Sequence, residues 1–270
     1  MTHFKVYRED RWPHMFCPGC GIGTTMSCFQ RAFINQGKDL DKTAFVSGIG
    51  CSSRVSGYVY SDSLHTVHGR ALAYATGLKL ANRDLDVIVF SGDGDLGTIG
   101  GNHFIQACRR NMDLFVICIN NNNYGMTGGQ ASSTTLHGYT TSTTPDGNPE
   151  YPFDLARLAV AAGANYVARY TSAHPKQLIR VMEEGMNRKG FRFIEAWVAC
   201  PVYFGRYNKL TTPVEHLKWL KENSVHIEQM RADGRTSEED IDLHVADKIT
   251  VGVIRDAQRK SYIESIEGDD

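Results

Sequence analysis

The chain has 270 residues, 41% of them hydrophobic, and a formal net charge of −1. That suffices for one large core, or one core with an appendage, and it lacks the basic excess that nucleic-acid binding calls for. No apolar run approaches the roughly 18 residues of a membrane span, and the charged start from Met1 to Arg11 has no apolar centre of the secretory kind, so a cytoplasmic protein is expected.

Taken in chain order, the first landmark is Cys17-Pro18-Gly19-Cys20, a tight turn that brings two thiols within reach of one metal centre. Gly48-Ile49-Gly50-Cys51 places a third thiol at the end of an apolar segment. Residues 68–82 read as a helix opened by glycine. The runs at 87–90 and 114–119 are short, apolar and rich in branched and aromatic residues, as in strands buried on both faces of a parallel sheet. Between them, residues 100–110 read as a helix with Phe104, Ile105, Ala107 and Cys108 on one stripe, which completes a βαβ unit. Each strand ends in a polar cluster, Gly92-Asp93-Gly94-Asp95 after the first and the asparagine run from Asn120 to Asn123 after the second. Residues 128–149 are crowded with Gly, Ser and Thr and read as a loop long enough to be functional. Helices follow at 153–162 and 175–187, the second with Thr171-Ser172 offering a cap, and residues 191–199 read as the last buried strand, closed by Ala199-Cys200-Pro201. The predicted fold is α/β, an open, mostly parallel sheet with helices on both faces. Residues 1–210 form its cofactor domain, and residues 211–270 read as a helical extension that contacts another subunit and ends in a frayed acidic tail.

In open α/β sheets, ligands bind outside the carboxyl ends of the strands, where both polar clusters fall. Glycines beside Asp93 let backbone N–H groups approach phosphate oxygens. Mg2+ takes about six oxygens, commonly one or two carboxylates with phosphate and water, so Asp93 with an asparagine amide points to a Mg-diphosphate site. Seven cysteines, an odd number in a chain read as intracellular, favour metal ligation or free thiols over disulfides. Cys17, Cys20, Cys51 and Cys200 lie on turns or element ends, whereas Cys28, Cys108 and Cys118 sit in apolar patterns as small hydrophobes. The four thiols suit a [4Fe–4S] cluster, but zinc and a redox dithiol fit the spacing as well.

Gly-Asp-Gly followed 25 to 30 residues later by Asn-Asn resembles the thiamine diphosphate signature. The matches FCPGCG at 16–21, GIGCSSR at 48–54, HTVHGRALAYATGLKLA at 65–81, GDGD at 92–95, NNNYGMTGGQ at 121–130 and ACP at 199–201 together resemble the beta subunit of the 2-oxoacid:ferredoxin oxidoreductases, over about residues 10–210. The resemblance implies thiamine diphosphate, Mg2+ and a [4Fe–4S] cluster as cofactors. It implies Cys17, Cys20, Cys51 and Cys200 as cluster ligands, and Asp93, Asn121 and the backbone carbonyl of Asn123 as Mg2+ ligands. Cofactor contacts would come from Ile49, Gly50, Cys51, Ser52, His68, Gly94, Asp95, Gly125 and Met126. The implied reaction is oxidative decarboxylation of a 2-oxoacid to acyl-CoA and CO2, with electrons passed through the cluster to ferredoxin.

One α/β unit cannot hold both ends of thiamine diphosphate. An alpha subunit carrying the pyrimidine-binding domain is therefore expected, in a heterodimer or a dimer of heterodimers, and the isolated chain should be inactive. Arg54, three residues past Cys51, suits bidentate pairing with a distal carboxylate and favours 2-oxoglutarate over pyruvate; binding diphosphate is its alternative role. His68 is a candidate catalytic group and otherwise a structural hydrogen-bonder, with His65 and Arg70 as further candidates. Rival readings are a pyruvate-preferring member, a non-redox thiamine diphosphate decarboxylase subunit and a zinc-stabilised binding module without catalysis.

Overall fold

The computed structural model describes residues 6–232 and 248–268. Its centre is an eight-stranded sheet of β1 (Thr43–Ser47), β2 (Asp62–His65), β3 (Asp86–Gly92), β4 (Leu114–Asn120), β5 (Tyr166–Thr171), β6 (Phe191–Trp197), β7 (Ser224–His226) and β8 (Ile249–Asp256), in the order β2-β1-β3-β4-β6-β5-β8-β7. The first six are mutually parallel, while β8 runs antiparallel to β5.

Alternation along the central strands builds two cores. Ile88 and Phe90 of β3, with Phe115, Ile117 and Ile119 of β4, face one side, where α1 (Gly21–Asn35) and α5 (Pro175–Met186) pack. Val87 and Val89, with Leu114, Val116 and Cys118, face the other, beneath α2 (Ala71–Ala81), α3 (Gly101–Arg109) and α4 (Leu155–Ala162). With both faces covered, these strands need continuous apolar runs, as read from the sequence. On the first side Phe29 of α1 meets Phe45 and Phe90 edge-on, with centroids 5.7 and 5.1 Å apart. Deleting such a buried ring costs about 3–5 kcal/mol. Cys28, Cys108 and Cys118 are all buried, in α1, α3 and β4.

Four expectations change. The predicted helix at 68–82 begins only at Ala71, because Gly69 takes φ +74° and its N–H is held by Asp95, which keeps His68 on the preceding loop. Before α5 the N-cap is His174, not Thr171 or Ser172; the Thr171 hydroxyl pairs with the His174 ring instead. The stretch beyond 210 is not purely helical. It holds α6 (Pro213–Glu222), α7 (Ile227–Ala232) and α8 (Tyr262–Glu267), but also β7 and β8. Residues 191–197 are accordingly not the last buried strand, because Ile249, Thr250 and Val251 of β8 are buried in the same sheet. In the acidic tail, Asp269 and Asp270 lie outside the described residues, as do Met1 to Lys5 at the other end. Among the described residues no helix is long and apolar enough to cross a membrane.

Candidate functional site

The loops after β1, β2, β3, β4 and β6 converge at the carboxyl edge of the parallel strands. Ile49, Gly50, Cys51, Ser52, His68, Asp93, Gly94, Asp95, Asn121, Asn123, Gly125 and Met126 all line one cleft there. The candidates drawn from four separate sequence motifs therefore meet in space.

Each asparagine after β4 has its own task. Asn120 donates to Glu195 at 2.8 Å, and its side-chain oxygen accepts from the Asn122 N–H at 3.1 Å. That local turn puts Asn122 at φ +58°, a left-handed conformation asparagine tolerates better than most residues. The Asn121 amide and the Asn123 carbonyl are thereby turned toward Asp93. With its nitrogen inward, the Asn121 side chain donates to Asp93 Oδ1 at 3.0 Å and to the Asn123 carbonyl at 2.8 Å. With its oxygen inward, three oxygens face one another at those same spacings. Metal–oxygen bonds of 2.0–2.1 Å in an octahedron give adjacent oxygens about 2.9 Å apart, so the trio fits two edges of a Mg2+ coordination shell.

Asp93 is 1% exposed. Burial pushes its carboxyl up to about 6, against the hydroxyls of Thr134 and Ser132 and the Asn121 N–H, which hold it down. No basic side chain forms an ion pair with it among the described residues. A bound cation would supply the missing counter-charge.

Asp95 also lines the cleft, with its side chain engaged by the protein. Oδ1 accepts from the N–H groups of Gly69 (2.8 Å) and Ile49 (3.2 Å) and lies 2.6 Å from His68 Nδ1, while Oδ2 accepts from Ser91 (2.6 Å). Its carboxylate clamps the β1, β2 and β3 loops together and is fully engaged by protein donors. Any contact with a diphosphate would fall to backbone N–H groups of the helical turn Gly94–Ile99, whose first residues lack intrahelical acceptors. Gly48 is required beside this clamp, since a Cβ there would stand 2.0 Å from Asp95 Oδ2. His68, fixed at Nδ1 by Asp95, keeps Nε2 as its remaining ring nitrogen and stands edge-on to Tyr124.

A second cavity, about 250 Å3, adjoins the cleft and is lined by Cys17, Cys20, Cys51 and Cys200 together with Arg54. The backbone explains the convergence. Cys20 N–H closes the turn onto the Cys17 carbonyl at 2.9 Å, and Gly21 N–H bonds the Ala199 carbonyl at 3.0 Å, which pins the start of α1 beside Cys200. Burial, reinforced by neighbouring thiols, pushes Cys20 up to about 12 and Cys51 up to about 11. Joint ionisation here therefore needs a cationic centre. Among the described residues no three His, Cys, Asp or Glu side chains are close enough for one metal ion. Tetrahedral zinc would need its sulfurs about 3.8 Å apart, given Zn–S bonds of about 2.3 Å, whereas a [4Fe–4S] cluster is held by four separate thiolates; all four of these cysteines line the one cavity. Arg54 is exposed and has no side-chain hydrogen bond or ion pair among the described residues. The two cavities share Cys51, Asn121, Gly125 and Met126 as a wall. Of the further candidates, His65 is exposed on the edge strand β2, and Arg70 is held by His103.

Sequence reading missed the charged network beneath the asparagine turn. Arg169 of β5, fully buried, pairs with Glu195 of β6 at 2.7 Å and with Asp154 at the start of α4. Glu195 also accepts from Asn120 and Trp197. The available signal was a charge in the middle of each of two strand-like runs, since such charges are buried only when paired.

The family model of the thiamine pyrophosphate enzymes, C-terminal TPP binding domain, matches residues 48–196. Cys17, Cys20 and Cys200 lie outside that span. The 2-oxoglutarate synthase subunit KorB of Methanocaldococcus jannaschii is 52% identical over 262 residues, 97% of this chain and 94% of its own length. The 2-oxoacid:ferredoxin oxidoreductase 1 subunit beta of Aeropyrum pernix is 41% identical over 197 residues, 73% of this chain and 62% of its own length. Among solved structures, 2-oxoglutarate:ferredoxin oxidoreductase from Magnetococcus marinus with 2-oxoglutarate, coenzyme A and succinyl-CoA bound matches with a TM-score of 0.85 at 31% identity, over 99% of this chain and 89% of that chain.

Proposed function

Because this chain belongs to the beta subunits of the 2-oxoacid:ferredoxin oxidoreductases, thiamine diphosphate-binding enzymes of 2-oxoacid oxidative decarboxylation, we propose that it unites a Mg-diphosphate site and a [4Fe–4S] site, and that its substrate is 2-oxoglutarate. The observation that carries this reading is the wall shared by the two cavities, with Cys51 on both sides of it. A non-redox decarboxylase would have no use for four cysteines beside the cofactor cleft, and a zinc-stabilised binding module would have no use for the cleft.

Asp93, the Asn121 side-chain oxygen and the Asn123 carbonyl would hold Mg2+; Cys17, Cys20, Cys51 and Cys200 would hold the cluster. When bound, thiamine diphosphate supplies the nucleophilic carbon at which the 2-oxoacid loses CO2, and the cluster takes up the electrons released. The residues of this chain bind and orient. Ile49 and Met126 present apolar surface beside the diphosphate turn. His68, steered by Asp95, can hold or pass a proton at Nε2. Arg54, unpaired at the rim of the cysteine cavity, can pair with the distal carboxylate of a five-carbon substrate.

One α/β unit leaves the pyrimidine end of the cofactor to an alpha subunit, in a heterodimer or a dimer of heterodimers. Residues 211–270 would contribute to that contact. Coenzyme A and ferredoxin complete the reaction, in a cytoplasmic complex. Anaerobic assay of the complex, with ferredoxin reduction as readout, tests the substrate. 2-Oxoglutarate should be turned over with the higher kcat/KM; a wild-type preference for pyruvate would overturn the substrate while leaving the cofactor reading in place.

A further inference from the structure

The Gly-, Ser- and Thr-rich loop at 128–149 has entered so far only through the Ser132 and Thr134 hydroxyls beside Asp93, yet residues 132–135 form a buried set of polar contacts next to the cleft. Ser132 and Thr134 are 6% and 1% exposed. Both hydroxyls donate to the same oxygen of Asp93, Oδ2, at 2.7 and 2.5 Å. The other oxygen, Oδ1, is left to face Asn121. The same segment grips the asparagine turn: Asn122 donates its side-chain amide to the Thr134 carbonyl at 2.9 Å, and the Thr135 hydroxyl donates to the Asn122 carbonyl at 2.7 Å. Four hydrogen bonds from one short segment thus tie the carboxylate at the end of β3 to the turn at the end of β4. These are the two elements that must be held in register for three oxygens to face one cation.

We propose that residues 132–135 are a clasp that sets the affinity of the cation site, with Ser132 and Thr134 as positioning residues that hold Asp93 in a one-oxygen binding mode. The proposal rests on the Mg-diphosphate reading above. It follows from the geometry because a carboxylate whose Oδ2 is occupied by two donors can offer a metal only Oδ1. Without those donors it is free to rotate, or to turn both oxygens to the metal. Hydrogen-bond partners of metal-ligating carboxylates typically set affinity by roughly ten- to a hundredfold.

The test uses the complex of this chain with its partner subunit, stripped of divalent cations and titrated with Mn2+ in the presence of thiamine diphosphate. Free Mn2+ is read from its electron paramagnetic resonance signal. Thr134→Val, close in shape but without the hydroxyl, should weaken Mn2+ binding by about ten- to a hundredfold, Ser132→Ala should act in the same direction, and Thr134→Ser should stay within about threefold of wild type. If Thr134→Val fails to fold, as judged by its melting temperature, Ser132→Ala carries the test. Wild-type affinity in both hydroxyl-deleted variants would overturn the clasp, as would equal losses in Thr134→Val and Thr134→Ser. A wild-type complex that takes up no Mn2+ with thiamine diphosphate would instead remove the cation site itself, a failure distinguishable because it appears before any substitution is made.

Discussion

At the scale of single residues, Asp93 sets folding against binding. A fully buried carboxyl raised from 3.8 to about 6 disfavours the ionised form, so above pH 6 the cofactor-free fold carries a charge that the unfolded chain would solvate, at a cost of roughly 3 kcal/mol. Asp93→Asn should therefore raise the melting temperature of the cofactor-free protein near neutral pH and abolish the additional stabilisation by Mg2+ with thiamine diphosphate. A wild-type thermal shift with cofactor in Asp93→Asn would show that the metal is held elsewhere. Arg54 makes the opposite case, an exposed guanidinium without a protein partner among the described residues. Losing one charge-assisted bidentate pair costs about 1.5–3 kcal/mol, so Arg54→Met should lower kcat/KM for 2-oxoglutarate by roughly ten- to a hundredfold while activity on pyruvate stays low or rises. Equal losses on both substrates would assign Arg54 to the cofactor. Asp93, Asn121 and Asn123 were legible in the sequence because the chemistry lies in adjacent letters. Asp95 was legible as a residue of the cleft, but not its clamping role, since what engages its carboxylate comes from Ile49, His68, Gly69 and Ser91, on two loops and strand β3.

At the scale of elements, α6 braces the cysteine turn. Pro213, its first residue, packs so closely on Gly19 that a Cβ there would stand 2.2 Å from the proline ring. The helix is anchored by His216, which stacks on Phe204 at 5.6 Å. Burial lowers the His216 pKa from 6.5 to about 4, and its Nδ1 has no hydrogen-bond partner among the described residues. The unfolded chain therefore binds a proton between pH 6.5 and 4 that the folded chain does not. This contribution is fully present above pH 6.5 and is lost as pH falls toward 4, to the extent of roughly 3 kcal/mol. Urea unfolding at pH 7.5 and 5.5 should show wild type losing more stability than His216→Phe over that interval. Parallel pH dependence of the two proteins would contradict this anchoring role. The sequence predicts a helical extension from residue 211 without placing this helix; the signal available was Thr212 and Glu215, which form a capping box around Pro213. Strand β8 was not legible, because its alternating Ile249, Val251 and Val253 sit in a charged stretch and gain their meaning only by pairing with β5.

At the scale of the whole molecule, parallel strands bring the motifs that follow them to one edge, which is why four sequence clusters form a single site. The βαβ unit of β3, α3 and β4 and the burial of its strands on both faces follow from apolar runs visible in the sequence, whereas the order β2-β1-β3-β4-β6-β5-β8-β7 is set by strand pairing that the sequence did not show. The buried Arg169–Asp154–Glu195 network was not legible either, since each charge is tolerated only through partners many residues away. That network supports the asparagine turn from below through Asn120. Arg169→Met, which leaves two buried carboxylates unpaired, should cost about 3–5 kcal/mol in urea denaturation; a loss below 1 kcal/mol would mean the network is not structural.

The central claim is that one chain carries two adjoining cofactor sites with separate ligand sets. It is tested most directly by the iron, acid-labile sulfide, zinc and thiamine diphosphate contents of the anaerobically purified complex, wild type beside Cys200→Ala. Wild type should hold about four iron and four sulfide with one thiamine diphosphate per beta chain, and Cys200→Ala should lose iron and sulfide together while retaining thiamine diphosphate. Stoichiometric zinc without sulfide in the wild-type complex, or full iron and sulfide in Cys200→Ala, would contradict it.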